Sequence, residues 1–106
     1  MKEFKQTNRR LDGSVSYEEW LVEGRRHRTD GPAYVCYYED RNLEYEAWYV
    51  NGKLHRENGP ARISYNSDGS ILYEEWWIYN RQLTEEKLFA WHRNRVIDTI
   101  VNDQPT

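Results

Sequence analysis

A chain of 106 residues with 38% hydrophobic content has the size of one domain, and two are not expected. A formal net charge of -3 excludes an overall positive field for phosphate binding, so nucleic acid is not an expected partner. One cysteine, Cys36, excludes an intramolecular disulfide and a multi-cysteine metal centre. A lone thiol and the lack of an apolar run of signal or membrane-spanning length fit a cytoplasmic chain with no membrane span.

In chain order, residues 1–11 read as one strand whose only large apolar residue is Phe4. From residue 12 the chain repeats with a spacing of 28, giving units at 12–39 and 40–67 and a partial third at 68–83. Asp12, Asp40 and Asp68 fall in register, as do Tyr17, Tyr45 and Tyr73 and the indoles Trp20, Trp48 and Trp76. In the first two units His27 and His55, Arg28 and Arg56, Gly31 and Gly59, Pro32 and Pro60, and Ala33 and Ala61 match as well.

Each unit reads as two strands. In "YEAWYV" (45–50), alternation sets Glu46, Trp48 and Val50 on one face and Tyr45, Ala47 and Tyr49 on the other. In "ARISYN" (61–66), Ala61, Ile63 and Tyr65 share a face. With 5 Trp and 9 Tyr, the expected core is aromatic, the three indoles pointing inward. Asp12-Gly13 and Asp68-Gly69 are expected to be two-residue type I′ turns with positive φ at both central positions. The Asn51-Gly52 and Asn58-Gly59-Pro60 signals bracket a longer loop. The repeat is expected to stop at Asn80, and Thr84 then reads as the N-cap of an amphipathic helix over 84–101, followed by a tail at 102–106. The expected fold class is mainly β: an antiparallel meander of six strands in tandem 28-residue hairpins, with one C-terminal helix laid as a cap on the aromatic face.

Two readings of the His-Arg loops stand side by side. His27, Arg28, His55 and Arg56 form a row of cationic donors for a carboxylate or phosphate, or they shape loops that every unit needs. Recurrence in each unit favours the second reading for the histidines and leaves the arginines even. Neighbouring carboxylates such as Glu18-Glu19 point to opposite faces of a strand and do not converge on one substrate atom. No P-loop, dinucleotide fingerprint, zinc spacing or nucleophile elbow is present in the sequence, so no enzyme, cofactor or metal is expected.

The stretches "WYVNGKLHRENGPARISY" (48–65) and "WLVEGRRHRTDGPAYVCY" (20–37) resemble the MORN class of β-hairpin repeats. More closely they are similar to variant arrays reading "NGKLHR-x-DGPA" in uncharacterised bacterial and viral proteins, which often finish in "LTEE" and a helix, as "NRQLTEEKLF" does here. The resemblance covers roughly residues 12 to 90 and implies protein-protein scaffolding, with a small inhibitor or antitoxin-like binder as one form of it. The longer unit here argues against lipid contact. The expected function is a non-catalytic protein-binding module, self-association being a further option. Its second sheet face would carry Tyr17, Tyr45, Tyr49, Tyr73 and Trp77, with the His-Arg loops beside it. The alternative is a small-ligand binder that holds a nucleotide or acidic metabolite in those loops.

Overall fold

The computed structural model describes residues 3–88 and residue 90. Phe89, Trp91, His92, Val96, Ile97, Ile100, the tail 102–106 and most of the expected helix 84–101 lie outside the described residues. The strands in chain order are β1 (Glu3–Arg9), β2 (Val15–Val22), β3 (Arg25–Arg26), β4 (Tyr34–Tyr37), β5 (Leu43–Ala47) and β6 (Tyr49–Val50), then β7 (Lys53–Leu54), β8 (Arg62–Tyr65), β9 (Ile71–Glu75), β10 (Trp77–Ile78) and β11 (Arg81–Gln82).

The protein is mainly β. Its largest sheet is an antiparallel meander in the order β1-β2-β4-β5-β8-β9, with β3 paired to β2 beside that path. The pairs β6–β7 and β10–β11 form two small separate sheets. One short helix follows: residues 85–88 and 90 are helical. Thr84 starts it, its Oγ1 accepting the Lys87 N–H at 3.3 Å and its carbonyl accepting the Leu88 N–H at 2.8 Å.

The turns differ from the sequence expectation. At Asp12-Gly13 the Gly13 N–H donates to the Arg10 carbonyl, and only Gly13 has positive φ, at 90°. The turn is a tight bend followed by one left-handed residue, not a two-residue type I′ turn. Its cause is the Asp side chain: Asp12 Oδ1 accepts the Ser14 N–H at 2.9 Å and the Ser14 hydroxyl at 2.6 Å, which holds residue 12 out of the left-handed region. Asp68 binds Ser70 in the same way, and both carboxyls sit below the usual range because of those serine hydrogen bonds. The true two-residue turns lie elsewhere. Glu23-Gly24, Asn51-Gly52 and Tyr79-Asn80 all have positive φ at both positions and close the pairs Val22–Arg25, Val50–Lys53 and Ile78–Arg81. The third closes without any glycine, so a hairpin continues past Asn80, where the sequence pattern stops.

The expected continuous strand 45–50 is broken at Trp48. Its N–H donates to the Ala61 carbonyl at 2.8 Å and its carbonyl accepts the His55 N–H at 3.0 Å. The backbone there leaves the large sheet and enters the small hairpin. Trp20 makes the same two bonds, to Ala33 and His27.

The core also differs from expectation. Among the described residues the buried apolar side chains are Val22, Ala33, Val35, Ala47, Leu54, Ala61 and Ile63. Trp20, Trp48 and Trp76 are half-buried. Ala33 and Ala61 are fixed by backbone bonds on both sides, Ala33 between Trp20 and Ala47 and Ala61 between Trp48 and Glu75. Val35 and Ile63 alternate across the sheet with Glu18, Glu46 and Glu74, through the pairs Glu18–Val35, Val35–Glu46, Glu46–Ile63 and Ile63–Glu74. Lys5 binds Glu18 at 2.7 Å, and the Tyr65 hydroxyl donates to Glu46 at 2.6 Å.

That last bond sets an alkaline limit. Burial first, then the hydrogen bond and charge of Glu46 and the charge of Glu74, push the Tyr65 phenol from 10.0 to about 12. A folded-state value above the unfolded one means that the stabilisation is fully present below pH 10.0 and is lost as pH rises towards about 12. Tyr65→Phe is therefore expected to lose less stability than wild type across that window in urea titrations. Parallel pH profiles would remove Tyr65 as the cause.

Candidate functional site

One face of the large sheet carries a ladder of tyrosines and guanidiniums. Antiparallel register sets Asn8, Tyr17, Cys36, Tyr45, Ser64 and Tyr73 directly opposite one another in a single row. Because side chains alternate along each strand, the next row on the same face holds Gln6, Glu19, Tyr34, Ala47, Arg62 and Glu75.

The two rows interlock. Tyr34 stacks on Tyr17 with centroids 5.7 Å apart and meets Tyr45 edge-on at 6.0 Å. The Arg26 guanidinium lies 4.2 Å above Tyr34, pairs with Glu19 at 3.0 Å and donates to the Tyr49 hydroxyl at 3.3 Å. At the other end Arg62 Nε donates to the Tyr45 hydroxyl at 2.7 Å and Nη1 meets Glu75 at 3.3 Å. Glu75 in turn accepts the Trp77 indole N–H at 3.1 Å. Tyr17, Tyr45 and Tyr73 thus share one face of the large sheet, whereas Tyr49 and Trp77 lie in the two small sheets and meet that face through Arg26 and Glu75.

Electrostatics hold the ladder in one charge state. Burial opposes the charge on Arg26, but its bonds to Glu19 and Tyr49 outweigh that and keep the guanidinium more firmly protonated than usual. Arg62 behaves alike through Tyr45 and Glu75. Burial pushes the phenols of Tyr34 and Tyr45 up, and Arg62 pulls partly against it at Tyr45. Near neutral pH Tyr34 and Tyr45 therefore keep their protons, and the two guanidiniums stay charged against the carboxylates of Glu19 and Glu75.

The ladder members that the sequence did not single out for binding are Tyr34, Arg26, Arg62, Glu19 and Glu75, although neighbouring carboxylates such as Glu18-Glu19 and Glu74-Glu75 read there as solubilising charges or cross-strand partners for Arg and Lys, as Glu19 is for Arg26 and Glu75 for Arg62. They break the spacing of 28: Tyr34 corresponds to Arg62, Arg26 to Leu54, and Glu19 to Ala47 and then Glu75. A search for recurring letters passes over them. Strand alternation combined with hairpin register could have found them.

The His-Arg loops are knit into the fold. His27 Nδ1 accepts the Asn51 N–H at 3.0 Å and His55 Nδ1 accepts the Tyr79 N–H at 3.2 Å, which places each imidazole proton on Nε2. Each histidine pins the turn of the following hairpin. His55 is buried and stacks on Tyr79 at 3.9 Å. Arg28 lies 3.9 Å over Trp20 and Arg56 lies 3.8 Å over Trp48, and each donates to a proline carbonyl, Pro32 or Pro60, at 3.1 Å. A Cβ on Gly31 or Gly59 would stand 3.0 Å from the guanidinium carbon, so a larger residue there would have to push the stacked arginine aside. Asp30 accepts from Arg28 Nε at 3.0 Å. Between the two loops lies an open groove of about 700 Å³, lined by Arg28, Trp48, His55 and Arg56 among others; His27 is not among its lining residues.

Among the described residues no three of His, Cys, Asp and Glu are grouped to hold a metal ion, and no helix is long and apolar enough to cross a membrane. Comparison with protein-family models, with curated proteins and with solved structures finds no match.

Proposed function

We propose that this chain is a non-catalytic protein-binding module that presents the tyrosine-guanidinium face to a protein partner. It is an array of tandem 28-residue MORN-like hairpins ended by the helix that begins after Thr84, and it works in a reducing, cytoplasmic setting where Cys36 stays a thiol. An inhibitor or antitoxin-like role is one form that such a module takes. The array reading draws support from the loop contacts around Trp20 and Arg28, which recur around Trp48 and Arg56 with nearly equal distances. The observation that carries the binding reading is the ladder of Tyr17, Tyr34, Tyr45, Arg26 and Arg62, half-buried and already ordered before any partner arrives. Tyr and Arg dominate interface hot spots, and side chains whose rotamers are already fixed lose little entropy on binding.

The test is affinity recovery from native cells with tagged wild type and with Tyr45→Ala/Arg62→Ala. Recovery of partner proteins is expected to fall roughly tenfold or more with the double variant, shown folded by circular dichroism. Equal recovery would overturn the reading. A small-ligand role is the second reading, favoured by the open groove between Arg28 and Arg56. It requires a rise in melting temperature with a nucleotide or acidic metabolite that disappears in Arg28→Ala/Arg56→Ala.

A further inference from the structure

The large sheet ends in two unlike edges. β1 and β9 terminate the strand order, so among the described residues one side of each has no strand beside it. All seven residues of β1 are exposed, and in β9 Ile71, Leu72 and Tyr73 are 53%, 60% and 40% exposed. Unpaired edges template the addition of a strand. Where the meander would next place a strand beside β9, this chain turns into helix from residue 85.

Register shows which strand fits β9. Tyr45 on β5 faces Cys36 of β4 on one side and Ser64 of β8 on the other. Asn8, Cys36 and Ser64 stand 28 apart, and so do Thr7, Val35 and Ile63. β1 is therefore equivalent to β4 and β8, while β9 is equivalent to β2 and β5. Tyr17 has Asn8 on one side and Cys36 on the other, whereas Tyr73 has Ser64 on one side and, among the described residues, no strand on the other. The vacant neighbour has the same structural type as β1.

We infer that β9 of one copy pairs antiparallel with β1 of a second copy, Tyr73 facing Asn8 and Glu74 facing Thr7, so that the chain assembles head to tail. The occupant of each edge is the other edge of the same chain. Both rows then continue across the junction without interruption. One reads Tyr17, Cys36, Tyr45, Ser64, Tyr73 and then Asn8 and Tyr17 of the next copy; the other reads Glu18, Val35, Glu46, Ile63, Glu74 and then Thr7 and Glu18. Charge agrees with this order. β9 ends in Glu74 and Glu75, whereas β1 carries Lys5 and Arg9 against the one carboxylate of Glu3. Lys5 already reaches Glu18 diagonally across β1–β2, and in the assembly it stands diagonal to Glu74 on its other side. Full antiparallel pairing of β9 with itself would instead set Glu74 and Glu75 against Leu72 and Ile71, with no cation on either strand to meet them. A head-to-tail contact is heterologous and yields a ring if the rotation closes or a filament if it does not. The inference does not depend on the partner-binding reading, although assembly would lengthen the same tyrosine face.

Cysteine pairing tests it. In a Cys36→Ser background, whose new side chain matches that of Ser64, Asn8→Cys and Tyr73→Cys are made separately and oxidised alone and as an equimolar mixture. The expected result is a covalent dimer of twice the mass in the mixture, reversed by reductant, with neither variant forming it alone. Should Tyr73→Cys fail to fold by circular dichroism, Thr7→Cys and Glu74→Cys supply an opposed pair of exposed positions on the other face, with the same readout. Like-with-like dimers as abundant as the mixed one would overturn the inference. So would a mixture that stays uncross-linked while sedimentation shows monomer at every concentration.

Discussion

Replacing Trp48 with alanine is expected to lower the unfolding free energy by about 3 kcal/mol, at the small end of the range for large aromatic truncations because the indole is half-buried. Its backbone bonds to Ala61 and His55 would survive. The ring would not, and with it goes the surface on which the Arg56 guanidinium rests at 3.8 Å. Arg56 would then keep its bond to the Pro60 carbonyl at 3.1 Å without anything to pack on, and the loop would loosen. Tyr49→Ala, one residue on, is expected to cost about 1 kcal/mol, mainly the hydroxyl contact with Arg26. Urea titrations measure both. A loss below about 1 kcal/mol for Trp48→Ala would mean that the stacked loop contributes nothing to folding.

Ala61→Leu is expected to destabilise by about 2–3 kcal/mol, from overpacking instead of loss of contact. Ala61 has 0% exposure. Its N–H donates to the Glu75 carbonyl and its carbonyl accepts from Trp48, both at 2.8 Å, so the backbone is fixed on either side and cannot retreat from a larger side chain. Ser64→Leu, in the half-buried tyrosine row, is expected to cost much less. A wild-type urea midpoint for Ala61→Leu would show that the packing there is looser than its burial implies.

The parts of this fold that were readable in the sequence are those that depend on period. Strand alternation put Tyr17, Tyr45 and Tyr73 on one face, and register sets them in one row. The Thr84 N-cap was readable because capping is local chemistry. Turn type was not. Asp-Gly and Asn-Gly both permit a type I′ turn, and the choice between them rests on whether a serine two residues on offers a hydroxyl and an N–H to the carboxylate, as Ser14 and Ser70 do. The core was misread for a related reason. Composition counts indoles but does not reveal that Ala33, Ala47 and Ala61 are the positions with 0% exposure, while the indoles stay half-buried and Trp20 and Trp48 lie under arginines. The proposed face was half legible. Its recurring tyrosines stood out, whereas Tyr34, Arg26 and Arg62, which tie them together, occur once each in the pattern and become meaningful only when neighbouring strands are laid side by side.

Oxidative labelling of side chains tests the proposed face most directly. Hydroxyl radicals modify exposed tyrosine and tryptophan rings, and the pattern can be compared between the purified protein and the protein bound in native cell extract. Protection of Tyr17, Tyr45 and Tyr73 in the extract, with Trp20 and Trp48 unchanged, is the predicted result. Protection centred on Trp48 and His55, with the tyrosine row reacting as freely as in the purified chain, would contradict it and move the binding surface to the groove between the loops.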